Sequence, residues 1–105
     1  MEFHELSARA LAIHRQFAET ARSNNQPEWS REQIVQGFVG DVGDLVKLSM
    51  AKAGVRQIDH TDSKFAHELS DCLWSVLVIA KLYEVDLEKE FSRTMNAIET
   101  KLRSS

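Results

Sequence analysis

Four carboxylates, in two pairs of equal spacing, are the residues of this chain best placed to do chemistry. Asp41 and Asp44 lie in GDVGD (residues 40–44), and Glu68 and Asp71 lie in HELSD (67–71). Residues three apart on an α-helix are surface neighbours. At about 100° per residue, Asp41 projects inside the face made by Ile34, Val35, Phe38, Val39, Val42, Leu45, Val46 and Leu48, and Asp44 falls at its margin. Glu68 projects close to Cys72 and Ile79, and Asp71 between Val78 and Leu82. Ionised carboxylates in apolar surroundings are costly, and four together repel, so protons or a cation must compensate. Oxygen-only ligation favours a hard cation, Mg²⁺ with Mn²⁺ as the substitute. One Cys and no spaced His pair argue against a zinc set, and neither motif carries the Glu-x-x-His of a di-iron bundle. The competing reading of either pair alone is a solvated helix edge neutralised by Lys or Arg.

Four helices are expected to position these groups. The first covers about residues 2–22, where Phe3, Leu6, Ala10, Ile13, Phe17 and Ala21 recur at helical spacing. SNNQPEW then supplies loop chemistry. SREQ matches a capping box, with Ser30 as N-cap and Gln33 reaching back, and opens a helix that runs to about Ala53, where Gly54 is a natural stop. GVRQIDHTDS is a long connection for packed helices. Thr61 or Asp62 is the expected cap of the third helix, which is apolar nearly all round and runs to about Tyr83. Asp86 caps the fourth, whose stripe is Leu87, Phe91, Met95, Ile98 and Leu102. No stretch alternates with period two, so the expectation is a single all-α domain over 1–105, a four-helix bundle. The apolar girth of the third helix exceeds what three short partners cover, which points to a homodimer or homotetramer.

Composition narrows the functions further. The 105 residues carry a formal charge of −3 with no dense Lys/Arg run, which argues against a nucleic acid polymer as partner. The longest apolar run, LWSVLVIA, is too short for a membrane span, and MEFHELSARA does not read as a signal peptide. The lone Cys72 sits in an apolar run and reads as a buried hydrophobe, compatible with the cytoplasm.

With these motifs in view, the chain resembles the MazG-like nucleotide pyrophosphohydrolases, the all-α NTP pyrophosphatases. That family carries Glu-Glu-x-x-Glu on one helix and Glu-x-x-Asp on the next. The likeness starts at FAETARSNNQPEW, continues through GDVGDLVKL and is closest at HELSDCLWSVLVIAKLYEVDLEKEF, covering most of residues 15–102. The chain departs from the family at the first motif. Gly40 and Asp41 stand where two Glu are usual, and Asp44 stands for the third. The resemblance implies hydrolysis of a nucleoside triphosphate to the monophosphate and pyrophosphate, with Mg²⁺ held by Asp41, Asp44, Glu68 and Asp71. It gives Asp41 and Glu68 the catalytic part, and one of the four carboxylates, with Asp41 the candidate, could orient the attacking water instead of holding metal. Clearing of non-standard or surplus dNTPs is the role it suggests. A nucleotide- and metal-binding sensor without turnover, or a purely structural helical oligomer, are the alternatives.

Three residues are expected at the substrate. Trp29, in the loop before the second helix, could stack a base or pack in the core. Lys47, one turn beyond Asp44, could reach a phosphate or simply neutralise that aspartate. Arg93 resembles a basic family position, as Asn96 does an amide one. Trp74 reads first as a subunit contact and second as a ligand contact. Arg56 and Lys64, flanking the long connection, read first as surface charge and second as groups that could close over a triphosphate, and the four histidines as unclustered.

Overall fold

Local chemistry sets the helix ends in the computed structural model, which describes residues 1–104. Four helices follow in order: α1 (Phe3–Ser23), α2 (Arg31–Lys52), α3 (Thr61–Leu82) and α4 (Leu87–Arg103), and no strand occurs among the described residues. The expected all-α, four-helix architecture is therefore what the chain adopts. Ser30 caps α2 reciprocally: Gln33 N donates to Ser30 Oγ at 3.2 Å, and Ser30 N donates to Gln33 Oε1 at 2.8 Å. At the other end Gly54, with φ of 81°, lets Val55 N reach back to Met50 O at 2.9 Å and closes the helix. Asp86 caps α4 by accepting from Lys89 N at 3.2 Å.

The start of α3 differs from expectation. Neither Thr61 nor Asp62 is its cap. His60 holds that position in the left-handed region, at φ 56°. Thr61 Oγ1 instead donates to Ile58 O at 2.5 Å, and Asp62 is taken by Lys52 Nζ at 2.5 Å. Both side chains thus serve the turn rather than the helix end.

α2 and α3 run antiparallel, side by side. The guanidinium of Arg31 at the start of α2 lies 4.5 Å from the ring centre of Tyr83, just past the end of α3. Lys52 at the other end of α2 sits over Phe65, near the start of α3, at 5.6 Å. α1 also packs on α3, where the Trp74 indole Nε1 donates to Ala10 O at 3.2 Å and Phe17 meets the Trp74 ring edge-on at 6.0 Å. The core is small: Ala10, Ile34, Leu77 and Val78, flanked by Phe3, Trp74, Ile79, Leu82 and Leu87. Trp74 thus joins α3 to α1 within the chain and stays half-buried.

The broad apolar face expected on α2 divides in two. Ile34 and Leu48 are buried, with Phe38, Asp41 and Leu45 half-buried between them, while Val35, Val39, Val42 and Val46 face outward. One neighbouring helix covers only one stripe, and α4 does not fold back to cover the other. α4 buries none of its own residues; Phe91 and Leu102 are 61% and 68% exposed. The radius of gyration is 17.0 Å, against about 13 Å for a compact domain of ~100 residues.

Candidate metal centre

Asp41 reaches the α2–α3 seam because it shares the buried stripe of α2 with Ile34 and Leu48, seven residues away on either side. Glu68 arrives from α3. Together with Asp44, these two offer carboxylate oxygens that all lie within 4.8 Å of one another. That span is close to the roughly 4.2 Å between opposite oxygens of an octahedral Mg²⁺. Asp41 and Glu68 are half-buried and Asp44 is exposed.

Hydrogen bonding distinguishes the three. Ser75 Oγ, on a buried residue of α3, donates to Asp41 Oδ2 at 3.3 Å. Glu68 Oε2 is closed off from solvent and has no hydrogen-bond partner. An orphaned carboxylate oxygen is an expensive group to keep, and beside two further carboxylates it is a fitting ligand for a hard cation. Burial first, then the charges of Asp71, Asp44 and Asp41, push the Glu68 carboxyl above its ordinary value, with His67 opposing. The same surroundings push the Cys72 thiol up, burial first and then Asp41, Glu68 and Asp71. Cys72 is therefore a protonated, half-buried neighbour of the site and a poor nucleophile.

Asp71 stands beside this trio. Its Oδ2 pairs with His67 Nε2 at 3.2 Å across one helical turn. His67, which the sequence left without a role, thus belongs to the site's edge, and the i, i+4 spacing of the two residues was the available signal. Ser75 was also missed, although it lies seven residues after Glu68 and so on the same side of α3.

Two grooves flank the carboxylates. One, of about 430 Å³, is lined by Asp44, Lys47, Leu48, Ile58, Ser63, Lys64, His67 and Glu68. The other, of about 410 Å³, is lined by Ile13, Phe17, Asp41, Ser70, Asp71 and Trp74. Phe17 and Trp74 also wall an adjoining slot of about 300 Å³ that contains Trp29, Ile34 and Pro27. Trp29 lies against α2, where a Cβ on Gly37 would come within 2.8 Å of its ring. Of the expected substrate residues, then, Lys47 borders the carboxylates and Trp29 borders the aromatic slot. Arg93 lies on α4, paired with Glu90 at 3.6 Å, and lines none of these grooves.

Beyond their own helical neighbours, no atom of the described residues lies within 4 Å of where a Cβ would stand at Gly40 or Gly43, so the glycine side of GDVGD is open while Asp41 faces α3. No helix of the described residues is long and apolar enough to cross a membrane. Set against protein-family models, curated proteins and solved structures, the chain matches none.

Proposed function

We propose that this protein is a divalent-cation-dependent nucleoside triphosphate pyrophosphohydrolase of the MazG-like kind. The reaction is hydrolysis of the anhydride between the α- and β-phosphates. Water adds to one phosphorus, the bridging oxygen leaves with the other, and a monophosphate and pyrophosphate result. The observation that carries the reading is the orphaned, solvent-inaccessible Oε2 of Glu68, on a carboxylate that clusters with those of Asp41 and Asp44 within 4.8 Å.

Asp41, Asp44 and Glu68 are the residues that would hold Mg²⁺ or Mn²⁺, with Asp71 one helical turn away. Once bound, such an ion supplies neutralisation of phosphate charge and Lewis acidity. The rest of the work falls to the chain. Ser75 fixes Asp41 by one oxygen and leaves the other available to orient a water. Exposed Asp44 can adjust its rotamer to the ligand. Phe17, Trp74 and Trp29 offer an apolar wall to a base. Positioning of this sort accounts for most of the catalysis of phosphoryl transfer. The test is pyrophosphate release over a panel of dNTPs with Mg²⁺ or Mn²⁺. Turnover in the wild type and its loss in Glu68→Gln are expected; no turnover with any nucleotide rejects the reading.

A second reading, a nucleotide- and metal-binding sensor with little turnover, is favoured by one observation. Gly40 supplies no carboxylate where the resembled family has one, which leaves three converging ligands. Calorimetry with Mg²⁺ and a non-hydrolysable triphosphate, alongside the release assay, separates binding from turnover.

Self-association belongs to the same proposal. A 17-residue amphipathic helix with no buried residue is marginal in water. The exposed stripe of Phe91, Ile98 and Leu102, with Val39 and Val46 on α2, supports a homodimer or homotetramer. Light scattering on the eluting protein measures the state directly, and a strict monomer at micromolar concentration rejects this part.

A further inference from the structure

We infer that a nucleotide lies across this site in one fixed direction, with its phosphate tail in the Lys47–Lys64 groove and its base on the Phe17–Trp74 side. The inference rests on the reading above and adds to it a polarity and a residue, Lys64, as the anchor of the leaving pyrophosphate.

The two grooves meet at the carboxylates but differ in chemistry. On one flank Lys47, Lys64 and His67 border Asp44 and Glu68. On the other, Phe17, Ile13 and Trp74 border Asp41 and Asp71. The His67–Asp71 pair stands between them, the imidazole lining the first groove and the carboxylate the second. A polyanion is repelled by the flank that offers Asp41 and Asp71 and no cation, whereas the other sets two ammonium groups beside Asp44 and Glu68, whose charge a bound divalent cation would offset. An aromatic base gains stacking only on the other flank.

The cations of the first groove are available. Lys52 is committed to Asp62 and to the face of Phe65. Lys47 and Lys64 form no ion pair among the described residues, although Asp44 and Glu68 border the same groove. They approach it from different elements, α2 and the first turn of α3, so together they can grip a ligand with two charged ends. Inorganic pyrophosphate has that form.

Calorimetry with inorganic pyrophosphate and, separately, a nucleoside monophosphate, both with Mg²⁺, reads the polarity without turnover. Lys64→Ala is expected to weaken pyrophosphate binding about tenfold and to leave monophosphate binding within about twofold. Lys64→Arg is expected to retain most of the pyrophosphate affinity. Lys47→Ala is expected to act in the same sense as Lys64→Ala. All three changes lie on exposed side chains, and circular dichroism checks that the fold is intact. Pyrophosphate affinity indifferent to Lys64, equal weakening of both ligands, or no pyrophosphate binding to the wild type each overturns the inference. Turnover with Lys64 indifferent sinks the polarity alone. Selective pyrophosphate binding without turnover sustains the groove and sinks the hydrolase.

Discussion

Ser75 on α3 donates a hydrogen bond to Asp41 on α2 at 3.3 Å, so the aspartate of one helix is held by the hydroxyl of its neighbour. The donor is buried and the acceptor half-buried, which makes the bond part of the helix–helix seam as well as of the site. Ser75→Ala removes that donor at little cost in volume. A loss of about 1 kcal/mol is expected in denaturant unfolding. A loosened Asp41 should also weaken Mg²⁺ binding several-fold, measured by calorimetry, whereas Ser75→Thr should retain part of both.

Glu68 gives the pH dependence. Its folded-state carboxyl titrates above the ordinary value of 4.5, because of burial and the neighbouring carboxylates. The folded protein therefore keeps this proton in a window above pH 4.5 in which the unfolded chain has lost it. This group's contribution to stability is full below that window and is lost as pH rises through it. Without divalent cation, thermal melts should show Glu68→Gln more stable than wild type at neutral pH, with the difference shrinking as pH falls toward 4.5. Mg²⁺ at ~100 times its dissociation constant should stabilise the wild type by about 2.7 kcal/mol. That gain should fade on acidification and be absent in Glu68→Gln.

The glycines separate the chain alone from the chain with a visitor. With nothing within 4 Å of a Cβ at Gly40 or Gly43, alanine at either position should add about 0.5–1 kcal/mol to stability through helix propensity. If a second subunit or a substrate approaches the backbone there, the same variants lose association or affinity, which light scattering and calorimetry distinguish. Gly37→Ala is different, because its Cβ would meet Trp29 at 2.8 Å. Displacement of that indole should shift the tryptophan emission with little change in the melting temperature.

The α4 stripe supplies a test of assembly. Phe91→Ser and Leu102→Ser alter side chains that are 61% and 68% exposed within one copy. In a monomer both are neutral within about 0.5 kcal/mol. In an oligomer built on α4, each shifts the light-scattering mass toward that of one chain and lowers the melting temperature, whose dependence on protein concentration in the wild type is then lost in the dissociated variant.

Much of the fold could be read from local signals. Ser30 with Gln33, Gly54 and Asp86 mark helix ends by hydrogen bonds that need only a few neighbouring residues, and all act as expected. His60 escaped notice because a left-handed N-cap carries no side-chain signature at a non-glycine residue. Helical periodicity placed Asp41 and Glu68 on inward faces. It could not divide the valines of α2 from its buried stripe, since that division depends on how many helices pack against α2. Asp71 and His67 show the same limit at the site: spacing places both carboxylates of HELSD toward the seam, but rotamer and pairing decide which one joins the trio.

The position of the site along its two helices has a mechanical consequence. Asp41 and Asp71 fall near the middle of α2 and α3. The pair is pinned at one end by Arg31 against Tyr83 and at the other by Lys52 against Asp62 and Phe65. Such a pair behaves as a beam clamped at both ends with the ligands at midspan. Fraying begins at helix termini, and the four carboxylates lie about 10–15 Å from the nearer one at 1.5 Å per residue. Amide exchange should therefore be slowest around Val42 and Cys72. Loading the midspan should leave the helix axes where they are and slow the clamps' release, so an ion is felt at Tyr83 as a longer lifetime with no change of position.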